Sequence, residues 1–249
     1  MRLDGKVVLV TGGSSGIGRA IALGCARAGA DVAVTFRGNA EGAEETARGI
    51  RAAGRRAEVL RVDLSRDEDI AALGASARER FGHVDAWINN AGADILTGAG
   101  GRLSRLQKLD QVLAVDLRGT IIASWTAVEL MRERGGVIIN MSWDHVSLGM
   151  TGENPILYSA AKGGIASFSK SLARAVAPDI RVNILAPGFI ETAFSELADE
   201  AWRRAVVDRT PLQRWGTPED LVGAAVFLAS DESRFMTGQM IMVNGGVVM

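Results

Sequence analysis

Short runs rich in valine and isoleucine recur along the chain, each separated from the next by a longer segment of helical periodicity. KVVLV (6–10), DVAVTF (31–36), AEVLRV (57–62), DAWIN (85–89), GVIINM (136–141), IRVNIL (180–185) and QMIMV (239–243) read as strands. They are apolar on both faces rather than alternating, and such strands need helices covering each side of their sheet. The first intervening segment carries apolar or small residues at 17, 20, 21, 24, 25 and 28 and stops at Gly29, a helix-period stripe with a glycine terminator. Strands alternating with helices over short connections build a parallel sheet through right-handed crossovers. The expectation is one α/β domain over residues 1–249, a single doubly wound parallel sheet with helices on both faces. No linker, low-complexity tract or internal repeat interrupts the pattern.

Composition narrows the partners. Lys and Arg number 28 against 29 Asp and Glu, so no charge surplus points to nucleic acid or an anionic membrane. The pairs Arg55-Arg56 and Arg203-Arg204 read as solvated surface. The lone cysteine, Cys25, falls on the buried stripe of the first helix, where it is a small core residue. One cysteine supports no intramolecular disulfide and suits a reducing compartment. His83 and His145 are the only histidines, which leaves no metal-ligand set. The opening MRLDGKVVLVTGG has too short an apolar run for a signal-peptide core, and GTIIASWTAVELM, interrupted by Glu129, falls short of a membrane span. These features predict a soluble, cytoplasmic protein.

Directly after the first strand stands TGGSSGIGRA, with Gly12, Gly16 and Gly18 around Ser14, Ser15 and Ile17. A strand-to-helix turn this tight needs residues without a Cβ, so that bare backbone can approach a pyrophosphate. The following helix would turn its N-terminal N–H groups towards that anion. Glycine clusters are common in turns. This one sits between the first strand and first helix of an alternating chain, the context in which such a turn binds a dinucleotide.

The spacing TGxxxGxG resembles the short-chain dehydrogenase/reductase family, in its 3-oxoacyl-carrier-protein reductase-like or glucose dehydrogenase-like branch. Further matches run along nearly the whole chain: NNAG (89–92), YSAAK (158–162), APGFIET (186–192), GTPEDL (216–221) and TGQMIMVNGG (237–246). The resemblance implies a Rossmann fold and a nicotinamide cofactor. It implies that Asp63, with Leu64 beside it, holds the adenine amine. Asn90, Ala91 and Gly92 then line the ribose, and Pro187, Gly188, Ile190 and Thr192 lie along the nicotinamide.

The second strand ends in TFRGN, with Arg37 and no carboxylate before Glu41. An acid there would accept from a free ribose 2′-hydroxyl, whereas an arginine suits a 2′-phosphate. Arg37 therefore favours NADP(H). NAD(H) is the alternative, because Ser15 stands where NADP-using relatives often carry a basic residue, and Arg37 also reads as a solvated loop cation.

Reducing a carbonyl by hydride transfer builds charge on oxygen and calls for a proton donor. In YSAAK, Tyr158 and Lys162 are four residues apart and share one helix face. A lysine ammonium favours the phenolate and lowers a pKa that is otherwise about 10. Tyr158 is the only tyrosine of the chain, and it falls at the position where the resemblance requires one. Tyr158 is expected to be the general acid/base and Lys162 its tuner. The resemblance also takes Lys162 to the nicotinamide ribose.

Two positions depart from the family pattern. In IINMSWDHV the strand end puts Trp143 where the family has a serine bonded to the reacting oxygen. Ser142, Asp144, His145 and Ser147 are the neighbours able to supply the missing polar group, and Ser142 is counted with the catalytic residues on the expectation of a bulge that re-aims it. Trp143 itself reads as a pocket wall. In LAVDLRG, Asp116 replaces an asparagine that in many relatives holds a water next to the lysine. Asp116 either pairs with Lys162 through water or caps a kink.

Two functions follow. One is an oxidoreductase acting on a small-molecule carbonyl/alcohol pair; the other is a catalytically impaired dinucleotide-binding regulatory or scaffold subunit. Losing one donor to a developing oxyanion costs about 10²–10³ in rate without abolishing catalysis. A decayed enzyme has little reason to keep its single tyrosine in place, so the first is preferred. The substrate pocket is expected from 94–102, 144–156 and 190–210, the last as a lid. Its apolar wall would be Trp143, Met150, Ile156, Phe189, Phe194 and Trp202, with Asp94, Glu153 and Asn154 as polar candidates. A sugar, a β-ketoacyl chain or a cyclic ketone would suit that mix. Segments 105–133 and 155–177 read as long helices; by resemblance they pair across a two-fold axis and VNGGVVM joins a second interface, giving a homotetramer that light scattering would read directly.

Overall fold

The computed structural model describes residues 2–193 and 195–249. Its seven strands are β1 (Val7–Val10), β2 (Asp31–Phe36), β3 (Ala57–Arg61), β4 (Ala86–Asn89), β5 (Gly136–Met141), β6 (Ile180–Pro187) and β7 (Met240–Val243). All neighbouring pairs are parallel, in the order β3-β2-β1-β4-β5-β6-β7. Each sequence run thus becomes a strand, with shifts only at the ends. β4 begins one residue later than expected because Asp85 caps the sheet edge: its carboxylate accepts from the Val7 N–H at 2.8 Å. β6 runs on to Pro187, held by its pairing with Val243 in β7.

Helices α1 (Gly16–Arg27), α2 (Ala40–Ala52) and α8 (Val222–Ala229) cover one face, meeting Val8, Val10, Val32 and Val34. On the other face α3 (Asp67–Phe81), α5 (Thr120–Met131) and α6 (Glu153–Val176) meet Val7, Leu9, Ala33 and Trp87. Adjacent strand residues therefore enter opposite cores, which is why the strands show no polar alternation. Cys25 is fully buried in the first core, and burial pushes its thiol up to about 12, so it is packing and not a nucleophile.

A polar chain crosses the second core. Asn89 Nδ2 donates to Asn140 Oδ1 at 2.8 Å and to Ser124 Oγ at 3.1 Å, and Asn140 Nδ2 donates to Ser169 Oγ at 2.9 Å. Buried amides are tolerated when satisfied in this way, and these bonds tie β4, β5, α5 and α6 into one register. The segment expected as one long helix over 105–133 has three parts: α4 (Arg105–Val112), a π-helical stretch Leu113–Gly119, and α5. Helix α7 (Glu200–Arg209), between β6 and α8, lies in the segment expected as a lid. Among the described residues no helix is long and apolar enough to cross a membrane.

Strand order reverses between β1 and β4, which pair through Val8↔Ala86 and Val10↔Ile88. Beyond the carboxyl ends of such a pair the connecting loops diverge and leave a crevice. Everything that follows sits there.

Candidate active site

The turn after β1 leaves no room for a side chain at Gly12 or Gly18. A Cβ on Gly18 would fall 2.2 Å from the Gly12 carbonyl oxygen and 2.4 Å from Asn90 Nδ2. Gly12 has φ +68°, and a Cβ there would meet Ala91 Cα at 2.9 Å. Thr11, which sequence reasoning passed over, braces the crevice: its Oγ1 accepts from the N–H groups of Asn90 and Ala91, both at 3.0 Å. Asn90 Nδ2 closes the link by donating to the Thr11 carbonyl at 3.0 Å. At the start of α1, Ser15 makes no side-chain cap and the first turn holds no acid. The helix thus presents uncapped N–H groups and its positive end to the crevice, a setting for an anion.

A cavity of about 860 Å³ opens from this turn. Gly12, Ser14, Ser15, Gly16, Ile17 and Gly18 line it, as do Arg37, Asp63, Leu64 and Asn90 to Gly92, and then Pro187, Gly188, Ile190 and Thr192. Ser142, Trp143 and Tyr158 lie at the same cavity, and Lys162 is buried behind them. Residues from distant parts of the sequence are in this way gathered on one surface. Bare backbone at Gly12 and Gly18, an uncapped helix end and a long cavity fit a dinucleotide. Asp63 holds its own turn, accepting from Ser65 Oγ at 2.7 Å. Burial opposes its charge, the Ser65 hydrogen bonds and nearby Arg37 favour it, and the net effect lowers its pKa.

The substrate end differs in part from the expected wall. Met150, Asn154, Phe189, Trp202 and Asp94 line the cavity, and so does Trp215, which had not been singled out. Ile156 and Glu153 do not: both are exposed, and Ile156 lies two residues before Tyr158 on α6, where side chains do not share a face. Asn154, four residues before Tyr158, does share it. Phe194 lies outside the described residues.

An unbroken row of rings leads away from Tyr158. Trp143 meets it edge-on at 5.6 Å, His145 stacks on Trp143 at 5.0 Å, Phe189 meets His145 at 5.5 Å, and Trp202 and Trp215 flank Phe189 at 5.8 and 5.6 Å. The row rests on Asp144, fully buried, which faces His145 Nδ1 at 2.6 Å and accepts from Asn244 Nδ2 at 3.1 Å across a hundred residues of sequence. His145 is therefore committed to Asp144 and to its stacking partners.

The bulge expected to re-aim Ser142 towards the chemistry does not form. The strand end is regular instead: the Ser142 N–H donates to the Leu185 carbonyl at 2.9 Å, and its Oγ donates to the Lys162 carbonyl at 2.9 Å. Its proton is spent on the α6 backbone. This side chain fixes the helix that carries Tyr158 and Lys162 to the strand.

Lys162 Nζ lies 5.2 Å from the centroid of the Tyr158 ring and donates to the Met141 carbonyl at 3.4 Å. Asp116 Oδ1 faces Nζ directly at 3.0 Å, with neither side chain more than marginally exposed. Of the two roles expected for Asp116, pairing with Lys162 is the one that forms, as a direct ion pair rather than through water. Burial opposes the lysine's charge, yet Tyr158 and Asp116 outweigh it and push Lys162 up to about 12. For Tyr158, burial raises the phenol's pKa, Lys162 lowers it and Asp116 raises it again, leaving it above its usual range.

A doubly wound parallel sheet with a glycine cradle at its switch point is the architecture of α/β dinucleotide-binding proteins. The model of the family described as enoyl-(acyl carrier protein) reductase matches residues 12–248. The chain is 35% identical to 3beta-hydroxysteroid dehydrogenase 1 of Eggerthella lenta, over 99% of this chain and 95% of that protein. It is also 35% identical to the 3-oxoacyl-(acyl-carrier-protein) reductase of Staphylococcus aureus, over 98% of each. The crystal structure of a putative short-chain alcohol dehydrogenase from Sinorhizobium meliloti 1021 superimposes with a TM-score of 0.90 at 35% identity, covering 98% of this chain and 97% of that one. The chain belongs to the short-chain dehydrogenase/reductase family, oxidoreductases that use a nicotinamide cofactor.

Proposed function

We propose that the protein transfers hydride between NADP(H) and a small carbonyl/alcohol substrate, with Tyr158 as general acid/base and Lys162 as its tuner. The observation that carries this reading is the chain's only tyrosine standing at the cavity with Lys162 directly behind it. When bound, the nicotinamide supplies or accepts the hydride. The residues that would hold it are those of the glycine turn, Asp63 with Leu64, Asn90 to Gly92, and the 187–192 segment.

In the reductive direction the Tyr158 O–H donates to the carbonyl oxygen as charge builds there. The nearby ammonium of Lys162 stabilises the phenolate left behind, and solvent restores the proton. Ser142 and Asp116 keep the lysine in place from two sides. The ring wall from Trp143 to Trp202 and Trp215 favours a substrate with an apolar face beside its carbonyl. The relatives named as acting on a hydroxysteroid and on an oxoacyl group both present one. The retained Tyr158–Lys162 geometry weighs against the non-catalytic subunit. NADPH oxidation across a carbonyl panel tests the reading, and a protein that binds NADPH but turns over none of a broad panel would count against it.

Arg37 supports NADP(H) over NAD(H). It is exposed at the cavity rim, and the end of β2 carries no carboxylate before Glu41 to accept from a ribose 2′-hydroxyl. Titration should give a lower Kd for NADPH than for NADH, and Arg37→Ala should erase most of that difference, about tenfold for one charge-assisted contact. Tighter binding of NADH by the unaltered protein would refute the assignment.

Trp143→Ser should broaden or shift the range of carbonyls reduced while leaving NADPH affinity within about twofold, since the indole packs on Tyr158 and His145 rather than on the glycine turn. A large loss of NADPH affinity would show that Trp143 supports the dinucleotide instead. A cytoplasmic homotetramer belongs to the same proposal. Its support is the apolar surface left open by Leu106, Trp125 and Ile156 on α4, α5 and α6.

A further inference from the structure

Asp116 is fully buried, and both of its oxygens are directed. Oδ2 accepts from the Ala93 N–H at 2.8 Å, and Oδ1 faces Lys162 Nζ at 3.0 Å as an ion pair rather than as an aligned hydrogen bond. The π-helical stretch Leu113–Gly119 carries it. Such a stretch widens one turn and re-aims the residues on it, and is frequent at functional sites. Gly92 makes the approach possible, because a Cβ there would lie 2.9 Å from Asp116 Oδ1. A carboxylate is thus built into contact with the lysine from an element that also borders the cavity.

The consequence is one of charge. A phenol beside a lone ammonium is a phenol beside net charge +1, which favours losing its proton. With a carboxylate 3.0 Å from the ammonium, the phenol meets an opposing charge beside the favourable one, and part of that favour is offset. Other charged groups on the surrounding elements do not restore it. Lys108 on α4 is taken by Asn154, and Arg118, on the π-helical stretch itself, by Asp67 on α3. Asp94, after β4, bonds to the backbone of Leu96 and Thr97. Asp144 and His145 pair with each other behind Trp143, and Glu191, after β6, pairs with Arg203.

We propose that Asp116 is a positioning residue which offsets the charge of Lys162 towards Tyr158, so that the phenol stays protonated through neutral pH and the site is set for carbonyl reduction rather than alcohol oxidation. This rests on the oxidoreductase reading above. Reduction needs the O–H form: the Tyr158 O–H bond breaks, the proton passes to the carbonyl oxygen, and the carbon takes the hydride. Oxidation needs the phenolate and so begins only as pH rises through the phenol's titration. Burial and Asp116 move that titration upward and Lys162 opposes them, so the sign is towards reduction.

Tyr158 is the only tyrosine of the chain, so tyrosinate absorbance in an ultraviolet pH titration reports on it alone, with Tyr158→Phe as the blank. In the unaltered protein tyrosinate should appear only above the range of free tyrosine, about 10. In Asp116→Asn, which keeps an oxygen for the Ala93 N–H, it should appear at lower pH. Alcohol oxidation by this variant at neutral pH should rise about tenfold, and its reductive activity should fall off at lower pH. A merely structural Asp116 would alter thermal stability and leave the tyrosinate midpoint where it was.

An unchanged midpoint in Asp116→Asn overturns the proposal. So does an unaltered protein whose tyrosinate forms below the range of free tyrosine, a measurement that does not depend on the variant folding. If the midpoint moves as expected but no carbonyl is reduced, the charge device stands and the oxidoreductase reading fails. If turnover depends on Tyr158 and the midpoint does not move, only the role of Asp116 fails.

Discussion

Replacing Tyr158 with phenylalanine is expected to lower turnover by about 10²–10⁴ while leaving NADPH affinity within a factor of a few. The change removes one oxygen. The ring keeps its contacts with Trp143 at 5.6 Å and with Lys162 at 5.2 Å, so neither the wall nor the lysine has reason to move. What is lost is the proposed proton donor, and its polar neighbours Ser142 and His145 are engaged elsewhere. Ser142 donates to the Lys162 carbonyl, and His145 is held by Asp144. Because the loss falls on the reacting state and not on binding, kcat and kcat/KM should drop together with KM little changed. Steady-state kinetics with NADPH titration alongside checks this. A variant within threefold of the parent would remove Tyr158 from the chemistry.

Gly18→Ala is the second large effect, and it acts on binding and stability. The new methyl would fall 2.2 Å from the Gly12 carbonyl oxygen and 2.4 Å from Asn90 Nδ2. The first is backbone with no rotamer to escape into, and the second is bonded to Thr11. Overpacking of this kind costs about 1–3 kcal/mol, and each kcal/mol lowers Tm by about 2–4 °C in a chain of this size. Displacing Gly12 also breaks the surface that would meet the pyrophosphate, so the rise in Tm with added NADPH should vanish. At about a hundredfold excess over Kd that rise is worth about 2.7 kcal/mol in an intact site. Gly163→Ala is the matched control, since a Cβ there meets nothing within 4 Å and alanine is the better helix former. Scanning calorimetry with and without NADPH separates the two. An unaltered NADPH-induced rise in Gly18→Ala would mean that the glycine turn is not the dinucleotide cradle.

Both experiments rest on features readable from local sequence. A doubly wound sheet shows itself because its strands are apolar on both faces, and the seven runs needed no partner to be recognised. The glycine turn is legible for a similar reason: close backbone approach excludes side chains, and that exclusion is written as residue type. Tyr158 and Lys162 share a face because helical geometry alone puts residues four apart together. The same rule, applied more strictly, separates Asn154 from Ile156.

What stayed hidden depends on contacts between distant segments. Asp116 meets Lys162 only because a π-helical turn re-aims it and Gly92 admits it, and neither condition has a local signature. Asp144 is held by Asn244 a hundred residues on, so the rigidity of the ring wall was invisible. Ser142 was assigned to the chemistry through a bulge; a regular strand end turns its hydroxyl onto the α6 backbone instead. Trp215 reaches the cavity through the fold of the 210–216 loop. Its signal was an aromatic residue in an otherwise polar stretch, weak by itself.

The central claim is that hydride passes within this site under the control of Tyr158, and isotope transfer tests it most directly. The purified protein would be incubated with a reducible ketone or aldehyde and NADPH carrying deuterium at its hydride-donating carbon, and the alcohol product analysed by mass spectrometry. The account predicts deuterium on the carbinol carbon of the product, and almost none when Tyr158→Phe is used under the same conditions. Alcohol formed without deuterium, or formed equally well by the Tyr158→Phe variant, would contradict it.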